Sequence, residues 1–137
     1  MLLLQTELFH DLPEDAQAEL QTTLRPVVVP AGTVVCREGD SGDELFIIEQ
    51  GELETSATIA GKQTRLGVMH AGDLFGEIAI MSRGIRTATV TALSEARLLV
   101  LTRGQLLGLV ERTPSLGTTL RELMRRRVLR SRMRALQ

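Results

Sequence analysis

Phe75-Gly76-Glu77-Ile78-Ala79-Ile80-Met81-Ser82-Arg83-Gly84-Ile85-Arg86-Thr87-Ala88-Thr89-Val90 is the stretch on which the reading of this chain turns. Gly76 lets a backbone come close to another group. If residues 76–81 form a short helix, its first free N–H groups make an anion site. Arg86 follows nine residues after Glu77, in a segment otherwise apolar or hydroxylated. A guanidinium beside helix-start amides suits a phosphate, which accepts a planar bidentate pair. Ionised Glu77 can only accept hydrogen bonds, so it suits hydroxyls. A ligand with one phosphate and one nearby hydroxyl satisfies both side chains. The alternative is a structural ion pair between Glu77 and Arg86 themselves. Periodicity alone leaves residues 75–82 open between strand and helix.

Around this stretch the chain is rich in short β segments: Val27–Val29, Thr33–Val35, Leu45–Ile48, Leu53–Ile59, Thr64–Met69, Thr87–Leu93 and Ala96–Leu101. Gly32, Gly39, Gly42, Gly51, Gly61 and Gly72 fall between them, at the spacing of an all-β sandwich or barrel. No Asn-Gly or Asp-Gly hairpin turn is present, but Glu38-Gly39-Asp40-Ser41-Gly42-Asp43 is a clear turn or loop. Before the β region, Leu8, Phe9, Leu12, Ala16, Leu20 and Leu24 recur at helical steps; Pro13 suits the first turn and Pro26 marks the stop. After it, Thr102 and Gln105 have capping-box spacing, followed by Leu106, Leu107, Leu109 and Val110. Thr113-Pro114 opens a last helix whose stripe runs through Leu116, Leu120, Leu123, Met124, Val128 and Met133.

Composition narrows the function. At 137 residues and 43% hydrophobic, the chain holds one domain with a packed core. Its net charge of −1 hides an asymmetry, −7 up to Val110 and +6 beyond it, with seven arginines after Pro114. The overall balance argues against a chain that coats nucleic acid. With no Trp or Tyr and three Phe, it has few platforms for stacking bases. The arginine-rich tail reads as an amphipathic helix with a solvated basic face, whose stripe could also meet a second copy or a neighbouring domain. No apolar run spans a membrane, and the start has no signal-peptide core. Cys36 is the one cysteine and reads as a small packed side chain in a reducing compartment. Asp40, Asp43 and Glu44 lack the full calcium-loop pattern and read as a solvated turn. His10 and His70 stand apart from other ligand-type residues, so no metal site is expected. No nucleophile–base pair can be named, which sets an enzyme last among the readings.

The quoted stretch resembles the phosphate-binding cassette of cyclic nucleotide-binding domains: Phe-Gly-Glu-apolar-Ala-apolar, an Arg at this spacing, then small-Ala-Thr-Val. The likeness extends to residues 30–35, Arg37-Glu38-Gly39-Asp40, Asp43–Ile48 and Gly51, and covers the chain from about Leu8 to the last helix. It implies a mainly β fold with flanking helices, a jelly-roll-like double-stranded β-helix of eight strands. A short cassette helix would interrupt the roll, and two C-terminal helices would close the chain. It also implies roles at the cassette, which begins at Phe75. Gly76, Ile78 and Ala79 would offer N–H groups to the cyclic phosphate. Glu77 would accept from the ribose 2′-hydroxyl, and Arg86 would pair with a phosphate oxygen. Thr87 would contact phosphate or purine, and Ala88 would allow close backbone approach. Arg127, with Arg125 and Arg126 beside it, falls where channel-type members fold an arginine over the base.

The expectation is therefore a single domain over 1–137, with N-terminal helices at about 4–25, a β-roll at about 26–102 and C-terminal helices at about 103–136. It would be a cytoplasmic, non-enzymatic sensor that binds cAMP or cGMP without a cofactor or metal and signals through its C-terminal helix. Thr87 leaves the purine open, because Thr there goes with cGMP in some members and with cAMP in others. A homodimer or a parent-protein domain would be the partner. The alternative is a nucleotide-independent interaction module on the same fold.

Overall fold

The computed structural model describes residues 14–76, 85–114, 117–118, 121–122 and 125. Helix α1 spans Glu14–Thr23. Eight strands follow: β1 Arg25–Val29, β2 Val34–Cys36, β3 Glu44–Gln50, β4 Leu53–Ile59, β5 Lys62–Met69, β6 Leu74–Phe75, β7 Thr89–Ala92 and β8 Ala96–Thr102. Helix α2 is Arg103–Arg112, and Pro114, Gly117, Thr118, Arg121, Glu122 and Arg125 beyond it are also helical. The strands form two antiparallel four-stranded sheets, ordered β1-β8-β3-β6 and β2-β7-β4-β5. This is the mainly β, jelly-roll-like fold that the sequence predicts. The expected cassette helix, and the apolar stripe at Leu8, Phe9 and Leu12, lie outside the described residues.

One core fills the space between the sheets: Cys36, Phe46, Ile48, Leu53, Phe75, Val90, Ala92, Ala96, Leu98 and Val100. Strand side chains alternate between faces. In β3, Phe46 and Ile48 therefore point into this core while Leu45 and Ile47 point away from it. Leu45 and Ile47 are nonetheless fully buried, on the face where α2 packs against β8 and where Leu20, Leu106 and Leu109 are also buried. The first sheet is thus covered on both sides, which is why β3 reads as an unbroken apolar run. Each leucine so buried contributes about 1.5–3 kcal/mol relative to exposure.

Several local expectations need correcting. Helix α1 ends at Thr23, before Pro26, and Pro26 sits inside β1 opposite Leu99. β1 is an edge strand, the place where a sheet tolerates a residue without an N–H. β7 begins at Thr89, so Arg86, Thr87 and Ala88 precede the strand. β6 is two residues long and carries no periodic signal. Leu107 is 41% exposed and leaves the α2 stripe, which buries Leu106 and Leu109. The Thr102–Gln105 box forms as expected: the Thr102 hydroxyl accepts from Gln105 N and the Gln105 side chain accepts from Thr102 N. No described helix is long and apolar enough to cross a membrane.

Candidate functional site

The site is built where β6 ends and the chain re-enters before β7. Gly76 closes β6 with φ +94°, a left-handed conformation that favours glycine. Glu77, Ile78 and Ala79 lie outside the described residues, as does Arg127. The chain returns at Ile85, which forms a single antiparallel bridge with Ser41. Arg86 follows and is clamped to the turn between β2 and β3: its N–H donates to Asp40 O at 2.7 Å, and Gly39 N donates to Arg86 O at 2.8 Å. That turn is held from its far side as well. Glu38 N donates to the Thr89 hydroxyl at 3.0 Å, and the Glu38 carboxylate accepts from Thr58 N at 2.9 Å.

Arg86 is 7% exposed, one of the few buried polar residues described. Its Nη1 donates to Gly76 O across 3.4 Å, a long hydrogen bond. The guanidinium carbon lies 5.7 Å from the centroid of the Phe46 ring, within cation–π range. Phe46 is stacked on Phe75 with centroids 4.8 Å apart and rings 14° from parallel, because β3 and β6 place the two residues opposite each other. Two of the chain's three phenylalanines thus make a shelf beside the cation. Phe75 is buried as half of that shelf. Among the described residues, no carboxylate lies within ion-pair distance of Arg86. The nearby acidic residue Glu44 pairs instead with Arg25 at 2.9 Å. A buried cation is costly unless an anion joins it.

Cys36 reports on the same region. Burial pushes its thiol up to about 11; the Arg86 charge pulls the other way and Glu44 adds to the rise. The thiol stays protonated and inert at neutral pH. Thr87 is exposed and Ala88 half-buried, immediately beyond the clamp. The structure therefore brings Phe75, Gly76 and Arg86 together, with Thr87 and Ala88 adjoining them.

Sequence reasoning missed two residues of this neighbourhood. Phe46 is not separable in sequence from other core positions of an apolar strand. Gly42 reads as one more turn glycine, although Gly39 already supplies the positive φ (+89°) in that turn. A second glycine so close by was the available signal. His70 is also less isolated than expected: its Nδ1 lies 3.6 Å from Glu52, and its N–H donates to Asp73. Both contacts are exposed, and among the described residues no group of three ligand-type side chains converges.

The sequence model described as cyclic nucleotide-binding domain matches residues 26–113. A cyclic nucleotide-gated potassium channel of Rhizobium etli is 39% identical over 121 residues, 88% of this chain and 33% of the channel. Among solved structures, the catabolite activator protein of Thermus thermophilus superposes with a TM-score of 0.82 at 27% identity, covering 94% of this chain and 61% of that one. The regulatory domain of Toxoplasma gondii PKA, crystallised with cAMP, gives a TM-score of 0.75 at 34% identity, covering 79% of this chain and 41% of that one. In all three comparisons the chain spans less than two thirds of the other protein. The match over most of its length, and the two-sheet roll that carries it, make this chain a member of the cyclic nucleotide-binding domain family.

Proposed function

We propose that the chain is a regulatory module that binds a cyclic nucleotide, cAMP or cGMP, and passes occupancy to its C-terminal helices. The observation that carries this reading is Arg86: a buried guanidinium, clamped through its backbone, with one long hydrogen bond among the described residues. A phosphate diester is the anion it suits, since the guanidinium fork matches two phosphate oxygens. Gly76, Ile78 and Ala79 offer amides to the same group, Glu77 takes the ribose hydroxyl, and Phe75 and Ala88 frame the site. Thr87 faces the phosphate or purine, and Arg127 covers the base. The cAMP carried by the Toxoplasma gondii neighbour supports the ligand class.

Transmission has a physical route. Asp43, next to the turn that clamps Arg86, accepts from Arg103 N, the first residue of α2, at 2.7 Å. The next helical residues pack back on α2: a Cβ added to Gly117 would lie 3.1 Å from Val110. A shift of the clamp on binding therefore reaches the C-terminal helices through one hydrogen bond and one close contact. Ligand moves such an equilibrium only by binding one state better, with a coupling of about 1–3 kcal/mol in ordinary switches. The output belongs to a partner, either a second copy or a domain of a parent protein.

Calorimetry with cAMP and cGMP on the parent and on Arg86→Ala tests the proposal. The parent is expected to bind at least one of them, and the variant to bind about 2–4 kcal/mol more weakly. Equal affinity in both proteins would remove Arg86 as the phosphate anchor. No heat with either nucleotide would favour an interaction module that works without ligand.

A further inference from the structure

Glycine stands at position 42 for a reason its own backbone does not supply. Its φ lies outside the left-handed region, so an ordinary side chain could adopt the same conformation. What a side chain there would meet is Arg86. A Cβ built on Gly42 would lie 2.5 Å from both Cζ and Nη2 of the guanidinium, and nearer still to Nε, inside the 3.0 Å that real Cβ contacts respect. On the other side, a Cβ on Gly76 would lie 2.7 Å from Nη1 and 2.5 Å from Glu44 O. The guanidinium is thus held between two bare stretches of main chain, with the Phe46 ring at 5.7 Å.

The backbone clamp at Gly39 and Asp40 fixes where Arg86 starts but not where its head points, because the side chain between them is long and rotatable. We infer that Gly42 is a positioning residue for Arg86: the missing side chain at 42 is the seat that sets the direction of the guanidinium. The inference rests on the proposed reading of Arg86 as the phosphate anchor. A methyl group at 42 must displace either the turn or the cation. The turn is tied on both sides of Gly42, through Asp40 O to Arg86 N and through Asp43 O to Arg103 N. The cation yields more easily and swings off its seat. A misplacement of this size is enough to spoil a two-point hydrogen-bonded pair.

The test uses the full chain as parent, Gly42→Ala, Arg86→Ala and the double variant, followed by calorimetry with cAMP and cGMP, urea unfolding, and the ¹⁵N–¹H resonance of Arg86 Nε. Gly42→Ala is expected to bind roughly tenfold or more weakly and to shift the Nε resonance before nucleotide is added. In the Arg86→Ala background the three atoms nearest to that methyl group are gone, so the double variant is expected to unfold at or above the midpoint of Arg86→Ala alone. Parent-like affinity in Gly42→Ala, alongside lost affinity in Arg86→Ala, would overturn the positioning role and leave the anchor intact. So would a double variant destabilised below Arg86→Ala as far as Gly42→Ala lies below the parent. If Gly42→Ala does not fold, recovery of folding in the double variant supports the seat, and failure to recover overturns it. A parent that binds neither nucleotide, or an Arg86→Ala that binds as the parent does, would instead bring down the anchor and the positioning role with it.

Discussion

Cys36 shows how far the buried cation's neighbourhood is sealed from water. The residue is 6% exposed, and burial, the largest cause, pushes its thiol up from an ordinary 9.0 to about 11. The group is an acid whose folded value is raised, so its stabilising effect is complete below pH 9 and is lost as pH rises through 11. That rise corresponds to about 2–3 kcal/mol. The chain suits the measurement, because it has no tyrosine and a single lysine, Lys62, which is exposed. Urea midpoints are expected to fall between pH 8.5 and pH 11 in the parent and to stay nearly level in Cys36→Ala. An equal fall in both would assign the alkaline loss elsewhere. Arg86 and Gly76 were legible in the sequence because the cassette pattern brackets them. Gly42 was not legible, because its requirement is a contact with a side chain remote in sequence.

At the scale of elements, turn chemistry decided what could be read. The β4–β5 hairpin closes through Ala60 and Gly61, between the paired residues Ile59 and Lys62. Both turn residues have positive φ, 53° and 81°, the pattern of a two-residue I′ turn. No Asn-Gly signal announced it, since alanine occupies the place where asparagine is favoured. Alanine in that conformation carries a steric cost that asparagine lowers by local hydrogen bonding. Ala60→Asn is therefore expected to raise stability by about 0.5–1 kcal/mol, read as a higher urea midpoint; a lower midpoint would contradict this account of the turn. The long strands β4, β5 and β8 were readable from β-rich runs between glycines. β6 was not, because two residues carry no period, and its place is set by pairing Leu74 and Phe75 with Ile47 and Phe46. Pro26 misled for a related reason: only the sheet order reveals β1 as an edge that tolerates it.

Across the whole molecule, the two sheets do separate work. The second carries the β2–β3 turn at one edge and the start of β7 beside it, which is where Arg86 is clamped. The first supplies Phe46 and Phe75 beneath the cation and, on its other face, the apolar seat for α2. The site therefore lies at the seam between the sheets and is joined to the C-terminal helix through Asp43 and Arg103. In the proposed function Arg86 receives a cyclic phosphate at this seam. A crystal structure of the full chain with bound cAMP tests it most directly. Guanidinium nitrogens of Arg86 are expected about 2.7–2.9 Å from phosphate oxygens. A nucleotide whose phosphate lies out of reach of residue 86, with the guanidinium still bound only to Gly76, would contradict it.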